Sequence, residues 1–214
     1  MIVFLIGGSS SGKSSFAAEL ISRIPSFRLL SDLDELLVRA DLEKMFTASK
    51  QSVRYLQGGG LEIIAPEVWD QCLAAAVMPH REEEHLIIEF ARGNDKCYLT
   101  MHRISCCEAY DPSFTILYEI FGERLNDHAW IIEMYAPLEL RKERNQHRAD
   151  TGQHHMAEKE LIRLFGERCF MWDQTKESYT VPTMGVTIPV LSFMNGVHAH
   201  IETFVDAFVR EVGL

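Results

Sequence analysis

Five short, mainly apolar runs recur along the chain. The first is Ile2–Ile6, and the others span residues 27–30, 86–90, 129–135 and 186–193. Runs of this length, bounded by polar residues, glycine or proline, are typical of strands buried on both faces of a sheet. Because the intervening segments are long enough for helices, the pattern predicts parallel strands joined by helical crossovers.

The segments between these runs carry helical patterns. Apolar residues recur every three or four positions in the segment before Pro25 and in the C-terminal segment 201–212, which is strongly amphipathic. Further helices are predicted over 34–50, 66–79, 111–121 and 156–170, and from Pro137 to a polar segment at 150–155. Strands and helices therefore alternate, which predicts an α/β fold of three α/β/α layers around an open, parallel, five-stranded sheet.

The turn after the first strand carries a motif. Residues 7–14 are GGSSSGKS, which matches G-x-x-x-x-G-K-[ST] at every fixed position. Glycines let successive backbone N–H groups converge on a phosphate, the lysine reaches the β- and γ-phosphates, and the final hydroxyl binds Mg²⁺. A chance Gly/Ser-rich turn is the alternative, but the strand before and the helix after favour this phosphate-binding loop, or P-loop. The residues expected to bind nucleotide are Gly7, Gly8, Ser9, Ser10, Ser11, Gly12, Lys13, Ser14 and Ser15.

Composition limits the partners and the cellular compartment expected for such a site. The net charge is −10, which disfavours nucleic acid and membrane surfaces because both need a dense basic face. The five cysteines are odd in number and lack a disulfide-like spacing, which predicts a reducing, cytoplasmic compartment. The first apolar run is too short for a signal peptide, and prolines and glycines interrupt the uncharged segment 178–201. Membrane attachment is therefore not expected.

Polar residues at the carboxyl ends of the predicted strands are candidates for catalysis, because ligands of open parallel sheets bind there. Asp32 and Asp34 follow the second strand, and in an extended segment two carboxylates at this spacing point the same way. One would lie near Mg²⁺ and the other near an acceptor hydroxyl. The alternative is that an aspartate simply caps the next helix.

Glu89 and Arg92 end the third apolar run. A carboxylate at the end of a buried strand needs a partner. Either Arg92 is that partner, or Glu89 is the acid that supports the metal or the base, and Arg92 binds an anionic group of the substrate.

Arg141, Arg144 and Arg148 lie on one face of a predicted helix. They form either a solvated charged face or part of a lid over residues 141–160, whose Arg144 and Arg148 close over the phosphates. His154 and His155 and the pair Cys106 and Cys107 lack metal-ligand spacing, so surface or core positions are expected for them. The three tryptophans are expected to be packing residues.

The chain resembles the P-loop kinases of the nucleoside, nucleotide and shikimate kinase superfamily. The resemblance rests on residues 7–14, on SDLD at 31–34, on the basic segment 141–148 and on VLSFMNG at 190–196. It implies that Asp32 and Asp34 bind substrate and assist catalysis. It also implies that the basic segment is the lid and that residues 192–195, including Asn195, contact adenine.

The expected activity is therefore transfer of the γ-phosphoryl group of ATP, with Mg²⁺, to a hydroxyl or phosphate of a small metabolite. Lys13, Asp32, Asp34, Glu89, Arg144 and Arg148 are the expected catalytic residues, and Ser14 and Asp32 are the expected metal ligands. A nucleotide-dependent switch or scaffold with slow hydrolysis is the alternative, and a polynucleotide-end kinase is disfavoured by the acidic charge.

The acceptor is expected to bind within a helical region over residues 34–81 of a single domain. Asp34, Arg39, Arg54 and Arg92 are the candidate acceptor-binding residues. The oligomeric state is left open.

Overall fold

The computed structural model describes residues 1–46, 52–55, 61–65, 67–92, 110–166, 178–180 and 185–214. Predicted helix ends at residues 47–50 and 167–170, and the cysteine pair 106–107, lie outside these ranges.

A six-stranded sheet forms the centre of the fold. The described residues form eight strands, six of which belong to this sheet. They are β1 (Ile2–Ile6), β2 (Arg28–Ser31), β3 (Val53–Tyr55), β4 (Leu61–Ile63), β5 (Leu86–Glu89), β6 (Ala129–Tyr135), β7 (Ser178–Thr180) and β8 (Thr187–Met194). The sheet order is β2-β5-β1-β6-β8-β7, and β3 and β4 form a separate antiparallel pair. All neighbours in the sheet are parallel except β7, which runs antiparallel to β8.

Helices cover both faces of the sheet. They are α1 (Lys13–Arg23), α2 (Asp32–Met45), α3 (Val68–Val77), α4 (Asp111–Phe121), α5 (Arg124–His128), α6 (Leu138–Asp150), α7 (Glu158–Phe165) and α8 (Ile201–Val212). The apolar stripe of α1 packs with that of α8 on one face, whereas α3 and α4 pack on the other. The predicted α/β/α arrangement of three layers is thereby confirmed.

Strand β1 lies at the centre of this core. All five of its side chains are fully buried, because parallel strands flank it and helices cover both faces. Its side chains alternate, so that Phe4 contributes to the cluster beneath α3 and α4 and Leu5 to the cluster beneath α1 and α8. The residue that follows β1 is therefore held in a rigid position.

Several elements differ from the prediction. The edge strand β7 and the pair β3 and β4 have three residues each, which is too short for a periodic signal. Helix α2 begins at Asp32, directly after β2, because the Ser31 hydroxyl accepts a hydrogen bond from Leu33 N at 3.2 Å and caps the helix. This early start changes the direction of the side chains that follow β2.

Strands β1, β2 and β5 end at the same edge of the sheet. Glu89 pairs with Ser31 of β2 and with Leu5 of β1. The loop after β1, the start of α2 and the end of β5 are therefore neighbours. Among the described residues, no helix combines the length and apolar character needed to cross a bilayer.

Candidate active site

The loop at residues 7–12 has a backbone that its glycines make possible. Gly7 and Gly12 have φ angles of +136° and +104°. A Cβ at Gly7 would lie 2.1 Å from Met134 O, and one at Gly12 would lie 2.0 Å from Asn195 Nδ2. The loop therefore packs against β6 and the end of β8 too closely for any side chain at these two positions.

Lys13 begins helix α1 with its ammonium inside the loop. Its Nζ donates to Gly7 O at 3.2 Å and to Gly8 O at 3.1 Å. Burial lowers the pKa of Lys13, while the nearby carboxylates of Glu89 and Asp32 act in the opposite direction. A buried cation thus lies at the loop that the sequence predicts to bind phosphate.

Ser14 and Glu89 place two oxygen atoms side by side. Ser14 Oγ donates to Glu89 Oε1 at 3.0 Å, and the same carboxylate oxygen lies 3.9 Å from Lys13 Nζ. The described residues contain no cluster of three or more histidine, cysteine or acidic side chains that could bind a metal. Mg²⁺ is usually bound by one or two carboxylates together with substrate phosphates, so a hydroxyl beside a carboxylate suits it.

Asp32 is a buried carboxylate at the start of α2. Its Oδ2 accepts a hydrogen bond from Arg92 Nη1. Burial raises the pKa of Asp32 to about 6, although Arg92 and Lys13 lower it. Asp32 also lines the cleft described below, although its side chain is only 3% exposed.

Asp34 does not point the same way as Asp32. Both residues lie in helix α2, where positions two apart differ by about 200° around the axis. Asp32 is buried, whereas Asp34 is exposed and is not among the residues that line the cleft. The expectation that the two carboxylates share a direction is wrong, because it assumed an extended backbone.

Arg92 is engaged by the protein. Its Nε donates to Ser113 Oγ at 2.7 Å, its Nη1 to Asp32 Oδ2 and Ala91 O, and its Nη2 to Asp70 Oδ1 and Trp69 O. These contacts use all five N–H donors of an arginine. The carboxylate partners of Arg92 are Asp32 and Asp70 rather than Glu89, and the role expected for Arg92 in binding an anionic substrate group stays a prediction.

A single cleft joins the loop to the region beyond Asp32. It encloses about 780 Å³, part of it open to solvent. Its polar lining comes from residues 9–14 of the loop with Asp32, Glu89 and Arg148. On the side of α2, β4 and α3 the lining is apolar and belongs to one packed cluster: Leu33, Leu36, Leu61, Ile63 and Trp69. The other apolar lining residues are Phe90, Ala91, Met156 and Phe165, of which Phe165 lies beside Gly8 of the loop.

The three arginines of α6 have different environments. Arg141 is 1% exposed and donates to the carbonyl oxygens of Ala136, Phe165 and Gly166, so it holds α6 against α7 and is not part of a solvated face. Arg144 contacts Ser10 O and Asn195 Oδ1, both at 3.4 Å. Burial, with Arg148 nearby, lowers the pKa of Arg144.

Arg148 is the residue of this helix that lines the cleft. It is half-buried, and its guanidinium has no hydrogen bond or ion pair with another described side chain or backbone group. The position suits a cation that closes on phosphate, as a lid requires.

Asn195 supports the loop. Its Nδ2 donates to Ser11 O at 2.8 Å, its Oδ1 accepts from Arg144, and its backbone N donates to Tyr135 O at 2.6 Å. The side chain, expected from the resemblance to contact adenine, is 4% exposed. Ser15, expected to bind nucleotide, is exposed on α1 and does not line the cleft.

Two further arginines lie away from the cleft. Arg39 donates to Gln71 Oε1 at 2.7 Å and to Ser52 Oγ at 3.5 Å, and forms an ion pair with Glu43. Arg54 is exposed on β3. Neither lines the cleft. Arg39 joins α2 to α3 and to the residue before β3, and the predicted contact of both arginines with the acceptor stays a prediction.

Three residues that the sequence does not predict at the site line the cleft. His154 and His155 are half-buried and line the cleft, although surface or core positions were expected. Burial lowers the pKa of His154, with His155 and Arg148 acting in the same direction. Trp69, expected to be a packing residue, also faces the cleft. The predicted lid over residues 141–160 is the one sequence feature that places these histidines near the site. No motif in the sequence places Trp69 there.

Comparison with known proteins adds a likeness of fold. No family model matches the chain, and no curated protein matches it at a significant level. A putative kinase from Chloroflexus aurantiacus J-10-fl superposes with a TM-score of 0.59 at 11% identity, over 99% of this chain and 95% of that one. A sugar kinase from Janibacter sp. HTCC2649 superposes with a TM-score of 0.54 at 14% identity, over 99% and 94%. At these identities the likeness establishes the fold alone.

Proposed function

We propose that the protein is an ATP- and Mg²⁺-dependent phosphotransferase that moves the γ-phosphoryl group to a hydroxyl or phosphate of a small molecule. The observation that carries this proposal is the cleft. Lys13, Ser14, Glu89 and Asp32 meet at its polar end, and the same cleft continues past Asp32 into a region with a different chemistry. A cleft with a polar part and an apolar part that meet at these residues can bind a phosphoryl donor on one side and a phosphoryl acceptor on the other.

The donor's phosphates would bind in the loop. Backbone N–H groups at the start of α1 and the Lys13 ammonium provide positive charge at one point. Arg148, unengaged by other described residues, would approach the phosphates from α6. Phosphoryl transfer depends on position and charge more than on covalent chemistry by the protein, so such groups supply most of the rate enhancement.

Ser14 and Glu89 are the residues that would hold Mg²⁺, because their oxygens lie 3.0 Å apart in the cleft. Bound Mg²⁺ would neutralise charge on the β- and γ-phosphates. Asp32, also expected to be a metal ligand, lies close enough to Lys13 and Glu89 for the charges of these groups to shift one another's pKa values.

Asp32 is the preferred base for the acceptor. The role was expected of Asp34 as well, but Asp34 is exposed outside the cleft, whereas Asp32 lines it. Burial raises the pKa of Asp32 to about 6, which makes it a stronger base than an ordinary aspartate while it stays ionised at neutral pH.

The shared fold supports this proposal without identifying the acceptor. The two superposed structures are described as kinases, and the P-loop lies at residues 7–14 of this chain. The alternative, a nucleotide switch without a small acceptor, would use the loop but would leave the apolar part of the cleft without a role.

The test is acceptor-stimulated release of ADP. Purified protein with ATP and Mg²⁺ is screened against alcohols, sugars, nucleosides, nucleotides and hydroxy acids. We expect at least one acceptor class to stimulate ADP release, and K13A to abolish the stimulated rate. K159A, which removes an exposed lysine of α7, is the control and should keep it. ADP release that no acceptor stimulates would favour the switch, and near-normal turnover by K13A would remove the proposal.

A further inference from the structure

We propose that the acceptor is an uncharged alcohol whose hydroxyl is carried on an apolar or aromatic body, and that it binds against the wall formed by α2, β4 and α3. This inference rests on the proposed function, because it names the acceptor of the same site. It excludes acceptors whose recognition requires a phosphate or carboxylate group. Three independent features of the described residues carry it.

The first feature is the composition of the wall. Leu36 and Leu61 belong to this wall and are at most 3% exposed. Leu33, Ile63 and Trp69 are half-buried and line the cleft above them. Side chains that are partly accessible within a cleft can bury further area when a ligand enters, at about 25 cal/mol per Å² of apolar surface. A ligand with an apolar body gains from this wall, whereas a strongly hydrated one does not.

The second feature is the engagement of the nearby arginines. Arg92 lies behind the wall, 5.7 Å from the centre of the Trp69 ring, but its donors are used by Asp32, Asp70, Ser113 and backbone carbonyls. Arg39 contacts Gln71, Ser52 and Glu43. Within the described part of the chain, the cations that line the cleft are therefore Lys13 and Arg148, both at its nucleotide end.

The third feature is the charge between the two parts of the cleft. Asp32 and Glu89 both line the cleft: Glu89 accepts a hydrogen bond from Ser14 beside the loop, and Asp32 directly precedes Leu33 of the apolar wall. Arg92 already pairs with Asp32, and Lys13 lies 3.9 Å from Glu89. A carboxylate or phosphate on the acceptor would therefore approach these carboxylates without a cation of its own, in a site of reduced dielectric where repulsion is stronger than in water. An uncharged hydroxyl, in contrast, can donate its hydrogen to Asp32.

The transfer step follows from this arrangement. The acceptor oxygen forms a bond to the γ-phosphorus as the bond from that phosphorus to the β,γ-bridging oxygen breaks. The electron pair of the broken bond leaves with ADP, and the acceptor's hydroxyl proton passes to Asp32 and then to water. The products are ADP and a phosphate monoester of the alcohol.

The experiment uses pairs of acceptors that differ in charge. The first two pairs are 2-phenylethanol with 4-(2-hydroxyethyl)benzoate and adenosine with adenosine monophosphate. The third pair, glycerol with glycerol 3-phosphate, tests small polar acceptors that lack an apolar group. We expect 2-phenylethanol to stimulate Lys13-dependent ADP release at least about tenfold more than its carboxylate analogue, a difference of about 1.4 kcal/mol. We also expect it to exceed glycerol and every phosphorylated compound.

A substitution in the wall provides the second arm. L33K introduces a cation into the cleft, and we expect it to weaken stimulation by 2-phenylethanol and to improve the relative use of the benzoate. V38K, on the same helix at a position 58% exposed outside the cleft, is the matched control and should leave the preference unchanged. Circular dichroism on both variants confirms that the fold is retained.

The outcomes separate the inference from the function on which it rests. If a carboxylated or phosphorylated acceptor, or glycerol, is preferred by the unsubstituted protein, the phosphotransferase stands and the inference is wrong. An L33K preference identical to that of V38K would also overturn the inference. If ATP binds but no acceptor of any class stimulates ADP release, the phosphotransferase itself fails, and the inference fails with it.

Discussion

Arg92 and Asp32 form a buried ion pair that joins the segment after β5 to the first residue of α2. The side chains of both residues are at most 7% exposed. The same guanidinium also contacts Asp70 of α3 and Ser113 of α4. The Arg92 side chain therefore fixes the position of Asp32, the preferred base, relative to α3 and α4.

The first prediction concerns this pair. R92M removes the cation but keeps much of the side-chain volume, so the carboxylate of Asp32 stays buried without its partner. We expect the free energy of unfolding to fall by about 3–5 kcal/mol, as for other broken buried pairs. Urea denaturation measures it.

The control is R81M, which removes an arginine that is half-exposed and pairs with the exposed Glu82. Surface pairs contribute little to stability, so R81M should denature at nearly the same urea concentration as the unsubstituted protein. An equal loss of stability in both variants would show that the Arg92 network has no special role.

The second prediction is a pH dependence. Because burial raises the pKa of Asp32 to about 6, this carboxyl is mostly protonated at about pH 5, where an ordinary aspartate is ionised. A protonated base accepts no proton, so kcat/KM should fall by about tenfold for each pH unit below that pKa. Stimulated ADP release at saturating ATP, measured from acid to neutral pH, checks it.

Two variants assign the acidic limb. D32N should abolish the stimulated rate at every pH, whereas D34N should keep both the rate and the limb, because Asp34 is exposed outside the cleft. The reverse result would restore Asp34 as the base.

The sequence predicts the sheet well and the acceptor end poorly, for a physical reason. At residues 7–14 one short motif sets both the backbone conformation of the loop and the side chains expected to bind phosphate and metal. The motif alone therefore indicates Lys13 and Ser14 as site residues. The direction of Asp34 depends on one hydrogen bond from Leu33 N to Ser31, which starts α2 early. The partners of Arg92 lie 22 and 60 positions away in the chain, and no periodic pattern encodes such contacts.

The third prediction tests the packing of the loop. In G12A, the new methyl group would meet Asn195 Nδ2 at 2.0 Å, at a φ of +104° that favours glycine. We expect the displaced loop to bind ATP about 10²-fold more weakly, as measured by isothermal titration calorimetry. G213A shares a positive φ, +72°, but its methyl group meets nothing within 4 Å. That control should lose about 1–2 kcal/mol of stability and keep its affinity for ATP, and an equal loss of affinity would refute the steric argument.

The fourth prediction concerns Arg148, the cleft-lining arginine of α6. R148A removes a guanidinium that makes no hydrogen bond or ion pair with another described residue, so it should leave the fold stable while lowering kcat by about 10²- to 10³-fold, the effect of losing one group that stabilises transition-state charge. K142A removes a cation from the same helix, one that pairs with Glu139 and Glu158 instead, and it should keep kcat. If R148A instead raised KM for ATP and left kcat unchanged, Arg148 would bind the nucleotide equally in the ground and transition states, and its proposed closure on the transferring phosphate would be wrong.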